Sequence, residues 1–187
     1  IQNYLIHTEP IGGGGILGFY VSSDAKDSNK NAPHMYPGAL GIERDYYLKD
    51  DDDSKKIMEQ YEAHVARMLN YIDLEQTTEL ASTVVAMETQ MAAARMNKEE
   101  RRDPAKRYNP TSIKGLQLLI PSISWSSYFS EIGAKGLDRD IIITDQGYFA
   151  SLDELLKNNS VQDWKTYLKW SLVDRFASRL STEMDKT

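Results

Sequence analysis

Apolar residues recur at helical spacing through most of the chain. Ile57, Tyr61, Val65, Met68 and Ile72 follow at steps of four, four, three and four, which is one face of a helix beginning near Ser54. Leu80, Val84, Met87 and Met91 form a second stripe. It predicts a helix over about 75–95, with Ala92–Ala94 small enough for close packing. The link near Asp73 and Leu74 is short, which predicts an antiparallel helical hairpin. The methionines of the second stripe suit an ordinary core. They also suit a peptide-binding groove, because thioethers adapt to varied partners.

Asp103-Pro104 breaks the helical register. Thr111 then predicts an N-cap for a short helix through Ile113, Leu116 and Leu119, ended by Pro121. Ser124 predicts the cap of a helix carrying Trp125, Tyr128 and Phe129. The β-branched triplet Ile141–Ile143 reads as a short strand, and residues 145–157 read as helix. Ser160-Val161-Gln162-Asp163 resembles a capping box with Asp in the usual Glu position. It opens a last helix with Trp164, Leu168, Leu172 and Phe176 on one side.

The first fifty residues lack this periodicity and hold strand-like pieces, the clearest at Ile16–Val21. Gly12–Gly15 predict a turn, since ordering four glycines is costly in chain entropy. A phosphate cradle would need a following Gly-Lys-Ser/Thr and a helix start, and neither is present. Asp50–Asp53 read as a solvated run favourable to the coming helix N-terminus. They lack the Gly and Glu layout of a calcium loop. The fold class expected is mainly α: an antiparallel helical lobe with a few short strands near the N-terminus and around 141–143. Residues 1–187 read as a single fragment, irregular and strand-bearing over 1–53 and helical over 54–187.

Composition narrows the function. The chain has 187 residues, 41% hydrophobic and 27% charged, ordinary for a globular domain. A net charge of -6 gives no basic footprint for nucleic acid. No apolar run approaches the ~18 residues of a membrane-spanning helix. The absence of cysteine excludes disulfides and thiolate metal sites. The start at Ile1 and the stop at Thr187 are read as cuts in a longer chain.

Candidate chemistry is sparse. A His-Glu-x-x-His zinc site works because residues i and i+4 share a helix face. His7, His34 and His64 include no such pair. There is no Gly-x-Ser-x-Gly elbow, and the serines sit at predicted caps and turns. No catalytic, cofactor-binding or metal-ligating residue is assigned. Two clusters join charge to aromatics. Arg44-Asp45-Tyr46-Tyr47 reads as a structural knot in which Arg44 and Asp45 bind backbone or each other. Its alternative is a site placing Arg44 on a substrate carboxylate. Arg101-Arg102-Asp103-Pro104 with Tyr108-Asn109 reads as a salt-bridged corner, or else as a binding site.

Several motifs, taken in order, carry a resemblance. Phe19–Asp24, Asp27-Ser28-Asn29 and Gly41-Ile42-Glu43-Arg44-Asp45-Tyr46-Tyr47-Leu48 come first. Glu88–Ala92 follows, then Arg102-Asp103-Pro104, Tyr108-Asn109 and Thr111. Leu116-Gln117, Pro121 with Trp125, and Trp164, Tyr167-Leu168 and Trp170 complete the set. It resembles the non-catalytic lobe of the neprilysin-like zinc endopeptidases, the group that includes endothelin-converting enzyme and bacterial oligopeptidase O. Two departures are small: Ile42 stands where Leu is common, and Glu43 where Pro is.

The resemblance implies two mainly helical lobes around a large cavity, this chain being the lobe that covers it and restricts entry to peptides. It implies zinc for the full-length parent and no cofactor in this fragment. The family's zinc ligands and catalytic Glu would lie beyond Thr187, and its carboxylate-binding arginines upstream of Ile1, so none is carried onto a residue here. The implied partners are the catalytic lobe of the same parent chain and peptide substrates. A cysteine-free member looks bacterial, which favours a cell-envelope or secreted location over a cytoplasmic one. The alternative is a free-standing helical interaction module, or the lobe of a catalytically inactive relative.

Overall fold

The computed structural model describes residues 1–12, 14–72, 75–134, 137 and 139–186, with Asp185 described by its backbone alone. In chain order the elements are α1 (Gln2–Thr8), β1 (Leu17–Ser23), β2 (Asn31–Pro37), α2 (Arg44–Leu48), α3 (Asp52–Asn70) and α4 (Thr77–Ala94). There follow β3 (Asn109–Thr111), α5 (Ile113–Leu119), α6 (Trp125–Glu131), β4 (Ile141–Ile143), α7 (Gln146–Asn158), α8 (Val161–Leu180) and α9 (Thr182–Asp185). Helices make up 59% of the described residues, so the class is mainly helical, with one small mixed sheet of four strands among them.

The chain forms two compact units, each built from two stretches of sequence. One comprises residues 1–39 and 94–158, the other 40–93 and 159–187.

The first unit holds the whole sheet, in the order β1-β2-β4-β3. β1 and β2 are an antiparallel hairpin in register from Leu17↔Pro37 to Ser23↔Asn31. Its turn is held by two aspartates. Asp24 Oδ1 accepts the Lys26 N–H at 2.8 Å and Asp27 Oδ1 the Asn29 N–H at 3.3 Å, the local bonding that suits Asp to turns. β2 and β4 are parallel and paired only at His34↔Ile142 and Met35↔Ile143. β3 closes one edge, where Pro110 costs no ladder bond to a further strand. Met35 and Ile141–Ile143 are buried, as are Trp125, Tyr128, Tyr148 and Phe149 from the helices. Trp125 is anchored twice. Its Nε1–H donates to Ile120 O at 3.1 Å, and its N–H to Gln117 Oε1 at 3.3 Å.

In the second unit α3 buries Tyr61, Val65, Met68 and Leu69. Its predicted stripe is correct at the centre, while Ile57 and Ile72 at its ends are half-buried. α4 buries Met87 and Met91, at 3% and 1% exposure. Those thioethers therefore belong to packed interior in this structure. α8 starts at the predicted capping box, with Ser160 Oγ accepting the Asp163 N–H and Asp163 Oδ2 accepting the Ser160 N–H. Its buried face is Trp164, Tyr167, Leu168, Trp170 and Val173; Leu172 and Phe176 are half-buried.

Three sequence expectations need correction. Residues 1–53 are not simply irregular and strand-bearing, because α1 and α2 lie among them. Ser112, not Thr111, caps α5, since its Oγ accepts the Gly115 N–H at 3.1 Å while Thr111 is spent in β3. Ser124 holds the N-cap position of α6 without a side-chain cap bond. The predicted hairpin link at Asp73 and Leu74 lies outside the described residues.

Candidate functional site

Two constellations combine charge with burial, one in each unit. The first centres on Glu88, which occupies the buried face of α4 at 2% exposure. Tyr61 and Tyr47 donate their hydroxyls to its Oε2 at 2.6 and 2.8 Å. The Gly41 N–H reaches Oε1 at 3.3 Å. The Tyr47 hydroxyl in turn accepts the Ile42 N–H at 3.2 Å. Three donors thus converge on one carboxyl group, which meets the hydrogen-bonding demand of a buried acid. Burial nonetheless raises the Glu88 pKa, outweighing the lowering effect of those donors. Burial likewise raises both tyrosines above their ordinary range, with the neighbouring Glu88 adding to it.

Gly41 belongs to this knot for a steric reason. A Cβ there would fall on the Tyr61 hydroxyl that reaches Glu88. Arg44 lies nearby in sequence: its Nε–H donates to Ala92 O at 3.0 Å and its guanidinium contacts Asp45 at 3.3 Å. Ala92 O is among the last carbonyls of α4, which have no helical partner. The donors and acceptors here serve one another and the backbone. Arg44→Ala is therefore expected to cost about 1–2 kcal/mol of stability. In the intact protein, thermal denaturation should register this loss while peptide affinity stays unchanged. Weakened affinity at unchanged stability would make Arg44 a ligand-binding residue instead.

The second constellation is a cleft of about 440 Å³ in the sheet-bearing unit. Tyr36 and Pro37 line it from the end of β2, and Thr144 and Asp145 from the residues after β4. These directly follow the last paired positions of the two strands, Met35 and Ile143. The remaining lining is Arg95, Met96, Lys98, Arg101, Arg102 and Arg107. Asp145 organises the cleft and is 3% exposed. Its Oδ1 accepts the Tyr148 N–H at 3.1 Å, capping α7, and its Oδ2 accepts the Met96 N–H at 2.9 Å. The guanidinium of Arg95 lies over the Tyr148 ring at 5.0 Å. The Tyr148 hydroxyl donates to Ile16 O at 2.7 Å, and burial pushes its pKa up to about 12.

The Arg101–Asn109 cluster is thus divided. Asp103 takes the Ala105 N–H at 2.9 Å, and an ion pair joins Lys106 to Glu100 at 2.9 Å. Tyr108 donates to Asp24 at 2.9 Å under the Lys26 ammonium. Arg101 and Arg102 face the cleft. The five cations share the stretch 95–107, but nothing local shows that Tyr36, Pro37, Thr144 and Asp145 complete a cleft with them. The one signal for Glu88 was an acid on an apolar stripe, beside Val84, Met87 and Met91.

Each histidine has its own local contacts. His7 Nδ1 lies 2.6 Å from Asn3 O within α1, and His34 stacks on Tyr20 at 4.9 Å. His64 packs edge-on to Trp170 in the other unit, at 5.9 Å. Among the described residues no three of His, Cys, Asp or Glu are placed to hold a metal ion. Also among these, no helix is long and apolar enough to cross a membrane.

The N-terminal-domain profile of peptidase family M13 matches residues 1–187. The chain belongs to peptidase family M13. Endothelin-converting enzyme 1 of Mus musculus is 27% identical over 167 residues, covering 86% of this chain and 22% of that protein. Human endothelin-converting enzyme-like 1 is 24% identical over 166 residues, covering 86% of this chain and 21% of that protein. The open-state structure of Mycobacterium tuberculosis zinc metalloprotease ZMP1 superposes with a TM-score of 0.87 at 26% identity, over 97% of this chain and 29% of that one. PepO from Lactobacillus rhamnosis gives 0.78 at 13% identity, over 98% and 30%, a likeness of fold. The chain spans about a fifth of the length of these curated relatives.

The M13 residues that carried the resemblance have local work in this fold. Asp24 and Asp27 hold the β1–β2 turn, Glu88 gathers Gly41, Tyr47 and Tyr61, and Gln117 receives the Trp125 N–H. Trp170 meets Tyr61 edge to face at 6.1 Å.

Proposed function

We propose that this chain is the covering, size-selecting lobe of a neprilysin-like zinc metalloendopeptidase that hydrolyses peptides. The observation that carries the proposal is the family match over the whole chain, joined to a likeness, with a TM-score of 0.87, to a mycobacterial zinc metalloprotease. The M13 motif residues bear on turns, caps and buried packing, which is what a supporting and excluding lobe requires. Zinc, when bound by the parent protein, would supply a polarised carbonyl and an activated water. Its ligands would come from elsewhere in the parent, since the described residues do not fit a metal site. The partners proposed are the catalytic lobe of the same parent chain and the peptides admitted to the space between lobes.

The test compares the intact parent protein with the 187-residue chain on peptides of graded length and on a folded protein. The parent should cleave short peptides, lose that activity to a chelator and spare the folded substrate. The isolated chain should cleave nothing. Rates that ignore chelator would overturn the zinc peptidase reading, and equal rates on the folded protein would overturn size selection. A parent that cleaves no peptide with zinc supplied would favour an interaction module.

A further inference from the structure

The cleft after β2 and β4 is lined by five cations, Arg95, Lys98, Arg101, Arg102 and Arg107, and one carboxylate, Asp145. This balance runs against the chain as a whole, which carries a net charge of -6. The cations come from the stretch 95–107, whose own acids Glu99, Glu100 and Asp103 do not line the cleft. A second depression in this unit has a mixed lining, with Lys26, Lys30 and Arg139 beside Asp24 and Asp140. In the basic cleft, each oxygen of Asp145 already accepts a backbone N–H, from Tyr148 and from Met96.

We infer that this cleft is a binding site for an acidic peptide segment. Guanidinium forks match carboxylate geometry and hold it with charge-assisted hydrogen bonds. Four of the five cations are arginines, which favours that use over diffuse attraction. The lining also offers Tyr36 and Met96, an aromatic and a thioether suited to the aliphatic stems of Glu and to peptide backbone. The cavity volume lies within the range of small-ligand pockets, about 300–1,000 Å³. A long polyanion fits less well, because an extended nucleic acid would meet the acidic remainder of the chain. Its test reads binding alone, so it stands or falls independently of the peptidase proposal.

The test is fluorescence anisotropy of a labelled hexaglutamate peptide on the intact protein that carries this chain, with chelator present so that hydrolysis does not intervene. Lys98, Arg102 and Arg107 are exposed, so their triple reversal to Glu should leave the circular dichroism melt unchanged. Binding is expected to be saturable and to weaken markedly from about 0.05 to about 0.5 M salt. The K98E/R102E/R107E variant should bind roughly tenfold more weakly or worse, and R102K/R107K, which keeps the charge but loses two guanidinium forks, should bind between wild type and the reversal. Unchanged affinity in the reversal variant overturns the inference, as does equal binding of hexa-alanine. Displacement of the peptide by inorganic phosphate at matched charge overturns the peptide assignment in favour of a general anion hole.

Discussion

Glu88→Ala is expected to lower the unfolding free energy by about 2–4 kcal/mol. The truncation takes away the acceptor of two tyrosine hydroxyls and of the Gly41 N–H. It also opens a void on the buried face of α4. Each orphaned donor costs about 1–3 kcal/mol, partly offset because a carboxyl group that resists burial is gone. Glu88→Gln should cost less. The amide oxygen can still accept from the tyrosines, but the amide nitrogen then faces the Gly41 N–H, donor against donor. Urea denaturation of the three proteins checks the order, with an unchanged m-value confirming that stability alone moved. Equal stability of wild type and Glu88→Ala would remove the knot from the account of this fold.

The same residue predicts a pH effect with a definite sign. Burial raises the folded-state pKa of Glu88 above its ordinary 4.5. The fold therefore binds this proton more tightly than the unfolded chain does, and its contribution is fully present below about 4.5 and lost as pH rises through the folded value. Wild type should gain stability relative to Glu88→Gln as pH falls from neutrality toward 4.5. A relative loss over that interval would mean that the three donors outweigh burial and that Glu88 is held ionised.

Gly38→Ala should cost about 2–3 kcal/mol. The Cβ would be built onto the backbone carbonyl of Gly15, with Ile16 C beside it at 3.0 Å. No flexible side chain can swing aside there, so the backbone leading into β1 must move. That movement strains the bond from the Gly38 N–H to Ile16 O at 2.9 Å and the adjacent Leu17↔Pro37 register. It also disturbs Ile16 O as the acceptor of the Tyr148 hydroxyl. Amide exchange should quicken first across β1 and β2, while α3 and α8 in the other unit keep their protection. Uniform protection in the variant would show that the backbone yields without cost.

Legibility in the sequence followed the range of the forces involved. The helices around Tyr61, Val84 and Trp164 were readable because a 3.6-residue period and a four-residue capping box are local patterns. α1 was missed, being seven residues with no capping side-chain bond and few apolar positions. The strand Asn31–Pro37 was not separately placed. It contains Pro33 and Pro37, and its pairing comes from β1 and from Ile142–Ile143, more than a hundred residues on. Ser112 displaced Thr111 as the α5 cap because Thr111 pairs with Ile141 in the sheet.

By itself the sequence determined the mainly helical class, the principal caps and stripes, and membership of the M13 family through ordered motifs. Tertiary structure alone decided that Glu88 is a buried hub rather than an exposed helix acid. It alone set the basic stretch 95–107 against Tyr36, Pro37, Thr144 and Asp145 in one cleft. Local propensity and periodicity act over one or two helical turns. The placement of charge depends on contacts between segments far apart in the chain, and those exist only once it has folded.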